Sequence, residues 1–125
     1  MRPDWDSYFL HIADAVAERA DCTRRKVGAV IVKNNRIVAT GYNGAPSGQK
    51  GCLEGACPRG QLSFEKCPPM SSYHNCISIH AEANALLYAD RDKCEGAVMY
   101  LTCEPCGDCK KLIAGAGIGN VIFHK

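Results

Sequence analysis

The 125-residue chain has no long apolar run; none reaches the roughly 18 residues that a membrane-spanning helix needs. It has no polybasic tail or stripe. Its 15 Lys and Arg stand against 13 Asp and Glu, a formal net charge of +2. Aromatics are few, with one Trp, five Tyr and three Phe. A groove that strips and stacks single-stranded nucleic acid needs both basic and aromatic side chains. Composition therefore points to neither a nucleic-acid nor a membrane partner. The first residues, Met1 to Asp6, are polar and charged and do not read as a secretory signal, so a cytoplasmic location is expected. No internal repeat or low-complexity stretch is visible. With 46% hydrophobic residues, the length suits one packed core, and a single domain over 1–125 is expected.

Cysteine is abundant: nine residues. A disulfide-stapled secreted fold would explain that number. The odd count, the absence of a signal pattern and the regular element patterns favour metal binding instead.

Residues 4–20 predict an amphipathic helix, with Trp5, Phe9, Ile12 and Val16 on one face and Asp4 as N-cap. Residues 27–42 predict a β-hairpin. Its strands are Val27–Val32 and Arg36–Ala39, and its turn is Asn34-Asn35, since asparagine tolerates left-handed backbone. Residues 43–78 have no steady period and hold Cys52, Cys57, Cys67 and Cys76. A loop of that length is usually functional or fixed by something other than a core. Helix formers follow over 80–90, a strand over 97–102, a helix over 106–114 stopped by Gly115 and Gly117, and a strand over 121–123. The order α-β-β-α-β-α-β implies an α/β fold with a mixed sheet and helices on both faces.

Two groups carry the chemistry: His80-Ala81-Glu82 and Pro105-Cys106-Gly107-Asp108-Cys109. Each opens a helix, and crossovers bring such helix starts to one sheet edge. One histidine and two cysteines give a tetrahedral zinc three ligands and leave one position for water, the mark of a catalytic site. The positive end of the helix dipole favours thiolates at Cys106 and Cys109. Zinc lowers the pKa of its water from about 16 towards 7. Glu82 is free to carry protons rather than to ligate. Together the two groups form the H-x-E…P-C-x-x-C pattern of zinc nucleobase deaminases.

Each part has a plainer reading when taken alone. His80 would be a polar helix start, and Glu82 an acid favoured by the dipole. The C-x-x-C would be redox-active or half of a structural zinc site. Cys103 extends the run to C-x-x-C-x-x-C without completing an iron–sulfur motif, and it reads as a buried thiol at a strand end.

The chain resembles the deoxycytidylate deaminase family from Trp5 to Phe123. The markers are Cys22-Thr23-Arg24, Val27 to Val32, Gly41-Tyr42-Asn43-Gly44, His80 to Ala85 and Pro105 to Cys109. The resemblance implies a three-layer α/β/α cytidine-deaminase-like fold and hydrolysis of dCMP to dUMP and ammonia. It also implies a homo-oligomer, often a hexamer, with possible control by dCTP and dTTP. By the same resemblance, His80, Cys106 and Cys109 hold zinc and Glu82 is the proton shuttle. Asn43 contacts sugar or base, and the Ala81 backbone N–H contacts the pyrimidine. Arg24 is a candidate for the 5′-phosphate, since guanidinium matches phosphate in a bidentate way, although a solvated charge reads equally well there. Some family members hold a second metal, and Cys22, Cys52, His74 and Cys76 are the best set for it. Cys57 or Cys67 could replace one, and buried free thiols are the competing reading.

Three features depart from the family. Relatives usually run one strand or helix further than Lys125, the 52–76 segment is longer and richer in cysteine, and Arg91-Asp92-Lys93 has no assigned role. Two other functions compete. One is deamination of another cytosine compound or amino-heterocycle. The other is a non-catalytic zinc module, for which a buried Glu82 would have no use.

Overall fold

The computed structural model describes residues 2–21, 25–44 and 79–124. Its elements run α1 (Trp5–Ala17), β1 (Gly28–Lys33), β2 (Arg36–Tyr42), α2 (Ala81–Tyr88), α3 (Arg91–Cys94), β3 (Val98–Leu101), α4 (Gly107–Gly115) and β4 (Asn120–Phe123). The sheet order is β2-β1-β3-β4. β1 is antiparallel to both β2 and β3, while β3 and β4 are parallel with α4 as their crossover. The sheet is therefore mixed, as the element order implies. Arg24 and the four cysteine and histidine candidates for a second metal, Cys22, Cys52, His74 and Cys76, lie outside the described residues, as do Cys57 and Cys67.

The faces of the sheet follow from strand alternation. Ala29 and Ile31 of β1, with Met99 and Leu101 of β3, pack against Ala81 and Ala85 of α2 and Ile113 of α4. Val30, Val32 and Tyr100 face the other way, onto Phe9 and Ala13 of α1. The result is three layers, with α1 on one side of the sheet and α2 and α4 on the other.

The β1–β2 turn sits at Asn34 (φ 53°) and Asn35 (φ 60°), the left-handed backbone that two asparagines permit. Asp4 caps α1 by accepting from the Ser7 N–H at 2.7 Å. The buried stripe of α1 differs from the expected one. Phe9, Ala13, Ala17 and, just past the helix, Ala20 are buried, whereas Trp5 is 55% exposed and Ile12 and Val16 are half-buried. The cause is close approach. A Cβ on Gly28 would sit 2.7 Å from the Ala17 nitrogen, so only small residues fit between α1 and β1. The helix expected over 80–90 also breaks at Ala89, which is extended, and restarts at Asp90 as the single turn of α3.

Gly41 does on β2 what Gly28 does on β1. A Cβ there would lie 2.9 Å from the Ala85 Cα and closer still to backbone atoms of Ala81 and Ala85. Backbone cannot yield as a side chain can, so α2 is seated by the missing methyl group. Among the described residues, no helix is long and apolar enough to cross a membrane. A test follows from the glycines. Gly41→Ala should lower stability by about 1–3 kcal/mol, the usual cost of overpacking. Gly115→Ala, whose Cβ meets open space, should raise it by about 0.4–1 kcal/mol. Denaturant melts of the two variants check both signs.

Candidate functional site

The site is assembled at two helix starts. His80 is the N-cap of α2 and Cys106 the N-cap of α4. His80 has extended backbone and makes no side-chain capping bond, which leaves its ring to turn outward from the helix. Its approach is fixed from behind. Gly44 and Ile79 exchange two backbone hydrogen bonds, of 3.1 and 2.7 Å, and so bring Asn43 and His80 together across the 34 intervening residues 45–78. Asn84, one turn into α2, donates from Nδ2 to the Tyr42 carbonyl at 2.8 Å and ties the same helix to the end of β2.

The His80 Nδ1 lies 3.5 Å from Cys106 Sγ and 3.3 Å from Cys109 Sγ. All three ligand atoms fall within 4.8 Å of one another, and this is the one such group of three among the described residues. A zinc at ordinary bond lengths in tetrahedral geometry separates a nitrogen and a sulfur ligand by about 3.6 Å, so the donor set fits that ion. Cys106 Sγ also accepts from the Cys109 N–H, the capping bond that a thiolate makes well. Cys103 stands outside this group. It is half-buried, just past β3, and takes a 2.8 Å contact from Arg25 Nη2. The C-x-x-C-x-x-C run is thus divided between two roles.

Electrostatics point the same way as geometry. Burial pushes the Cys109 thiol well up, and the Glu82 charge and Cys106 push it further. Two sulfurs and a carboxylate packed together call for a cation, and a coordinating cation takes the thiol proton outright. Glu82 is 5% exposed and lies on the first turn of α2, close enough to Cys109 to act on its thiol by hydrogen bond and by charge. A buried acid beside a set of candidate metal ligands is the feature that a purely structural zinc site has no use for.

Of the other expected contacts, Ala81 is fully buried at the first residue of α2. Asn43 is 7% exposed, and its carboxamide is engaged within the chain. Its Oδ1 accepts from the Val27 N–H at 2.8 Å, and its Nδ2 donates to the Arg25 carbonyl at 2.8 Å. Among the described residues these are its partners, and a carboxamide has the capacity for one more donated and one more accepted bond. Sequence reasoning missed Arg25 and Thr102. Both take part in bonds that join residues more than 70 positions apart, and no local spacing signals such contacts.

Comparison with known proteins agrees with this geometry. Residues 3–125 match the family described as the cytidine and deoxycytidylate deaminase zinc-binding region. The deoxycytidylate deaminase of Mycobacterium phage D29 is 54% identical, over 99% of this chain and 97% of that one. The Schizosaccharomyces pombe deoxycytidylate deaminase is 44% identical over 99% of this chain, which spans only 38% of that protein's length. A solved structure of the cyanophage S-TIM5 dCMP deaminase in complex with dCMP and dUMP superposes with a TM-score of 0.72. It is 33% identical, over 98% of this chain and 82% of that one. The chain therefore belongs to the zinc-binding cytidine and deoxycytidylate deaminase family.

Proposed function

We propose that this chain hydrolyses dCMP to dUMP and ammonia at a zinc held by His80, Cys106 and Cys109. The observation that carries the reading is the meeting of one imidazole nitrogen and two thiols beside a buried carboxylate. The phage D29 and S-TIM5 relatives, which this chain covers almost fully or is covered by over most of its length, support the substrate. The match over residues 3–125 supports one deaminase domain.

Zinc, when bound, supplies a Lewis acid that makes water acidic near neutral pH. The remaining work belongs to the chain. Glu82, shielded from bulk solvent, takes one proton of the attacking water and delivers it to the ring nitrogen, then carries the second proton, from the hydroxyl so formed, to the departing amine. As oxygen bonds to the ring carbon that bears the amine, that carbon's double bond to the ring nitrogen becomes single; the bond to the amine then breaks as the carbonyl forms, and ammonia leaves. The Ala81 N–H sits at the start of α2, where backbone donors point out of the helix, and is suited to the pyrimidine carbonyl. Asn43 offers its spare hydrogen-bonding capacity to the sugar or base. Arg24 is assigned to the 5′-phosphate on the chemistry of its guanidinium alone.

Three further parts of the reading rest on the sequence. The second zinc, with Cys22, Cys52, His74 and Cys76 as ligands, would be a closed structural site that fixes the 43–78 segment. A homo-oligomer, a hexamer in many family members, with dCTP and dTTP as effectors, goes with the family resemblance. Exposed Leu87, Tyr88 and Leu112 on α2 and α4 support association of copies. A cytoplasmic location suits both a nucleotide substrate and thiolate ligands, which a reducing compartment preserves.

The proposal is tested in three ways. Glu82→Gln should keep its zinc and lose about 10²–10⁴-fold in turnover; activity within a few-fold of wild type would remove Glu82 from the mechanism. In a panel of dCMP, deoxycytidine, cytidine and dCTP, dCMP should give the highest kcat/KM. Equal efficiency for deoxycytidine would leave the phosphate without a partner. Metal analysis should return two zincs per chain, falling to one in Cys52→Ser; a single zinc in fully active protein decides against the structural site.

A further inference from the structure

The segment that leads into β1 is bound to the loop that leads into α4 and its two cysteine ligands, and it is bound at successive points. The Gly28 N–H donates to Thr102 Oγ1 at 3.2 Å, and the Thr102 N–H donates back to the Gly28 carbonyl at 3.1 Å. One residue further on, Arg25 Nη2 reaches Cys103 Sγ at 2.8 Å, across 78 positions of sequence. Arg25 does not hold this place through its own backbone bonding alone. Asn43, buried at the end of β2, grips the segment from below, accepting from Val27 and donating to the Arg25 carbonyl. Beyond Cys103 the loop contains Pro105, which is buried and has no N–H to donate, and ends at Cys106, the N-cap of α4, whose first turn carries Cys109.

We infer that Arg25 is a positioning residue for the metal: through Cys103 Sγ it fixes the β3–α4 loop, and with it the placement of Cys106 and Cys109 against His80. Sulfur is a weak acceptor, and the Cys103 thiol is pushed towards its neutral form, by burial first of all. The bond therefore works by direction rather than by strength. A planar, always-charged guanidinium orients Cys103, the loop's second residue, while the two bonds from Gly28 hold Thr102, its first. Residues that orient ligands from outside the coordination sphere typically govern metal affinity by 10–100-fold. Arg25 acts through one more residue, so the low end of that range, about ten-fold, is expected.

This inference rests on His80, Cys106 and Cys109 being the metal ligands, and its readout is the metal itself. Zinc transfer from the intact enzyme to a chromogenic chelator is timed for wild type, Arg25→Met, Arg25→Gln, Cys103→Ala and the Arg25→Met/Cys103→Ala double variant. Arg25→Met, which keeps length and loses the donors, and Cys103→Ala should each speed zinc loss about ten-fold. The double variant should be no faster than either, and Arg25→Gln, which retains a donor, should recover part of the effect. The cobalt-substituted Arg25→Met enzyme should show a shifted visible spectrum, a change that loss of general stability would not produce. Additive single effects, or zinc loss at the wild-type rate, would overturn the inference. So would a raised KM for dCMP with unchanged zinc loss, which would make Arg25 a substrate contact instead. Failure of every substrate tested would refute the proposed reaction and leave these metal kinetics untouched.

Discussion

Two strands of the sheet carry a glycine where a helix backbone comes too near for any side chain. At Gly28 the helix is α1, and at Gly41 it is α2. These contacts set how closely α1 and α2 approach the sheet. They explain why the facing helix positions are alanines, Ala13 and Ala17 on one side and Ala81 and Ala85 on the other. They also set where the chemistry lies, because α2 seated on Gly41 begins with His80 and Glu82. A displacement of this helix by the radius of a methyl group would carry both residues away from α4. The catalytic arrangement is thus a consequence of backbone packing before any ligand is considered.

The second constraint is electrostatic. α2 and α4 both direct their positive ends at one place, and into it the sequence puts two thiols and a carboxylate. The helix dipoles partly offset that negative charge, but burial works against it, as the raised Cys109 thiol shows. A divalent ion would resolve the conflict. Held by His80, Cys106 and Cys109, it would neutralise the sulfurs and tie the starts of α2 and α4 together beside the Glu82 carboxylate. Binding, local stability and catalysis then depend on the same charge.

Much of this was legible in the sequence because it depends on short-range rules. Asn34-Asn35 announced its turn through left-handed backbone. His80, Cys106 and Cys109 were recognisable because residue type and spacing placed each beside a helix start. The buried ridge of α1 was not legible. Hydrophobic periodicity ranks Trp5, Ile12 and Val16 above alanine, whereas the winning face is chosen by a glycine on another element. The break between α2 and α3 was hidden because Ala89 and Asp90 do not oppose helix strongly enough to mark it. Family resemblance marks Asn43 as a substrate contact, but its grip on residues 25–27 depends on the register of the β1–β2 hairpin. The Arg25–Cys103 bond joins residues with no local relation at all. Chemistry was readable where it sits on element ends; its support was not, because support is made of tertiary contacts.

The central claim is that one metal joins the starts of α2 and α4 and keeps a position open towards Glu82. Anomalous diffraction from crystals of the purified protein, recorded on both sides of the zinc absorption edge, tests it most directly. The account predicts a zinc peak within bonding distance of His80 Nδ1, Cys106 Sγ and Cys109 Sγ, with a non-protein oxygen as the fourth neighbour on the Glu82 side. A fourth protein ligand at that ion, or no zinc peak among these three residues, would contradict it.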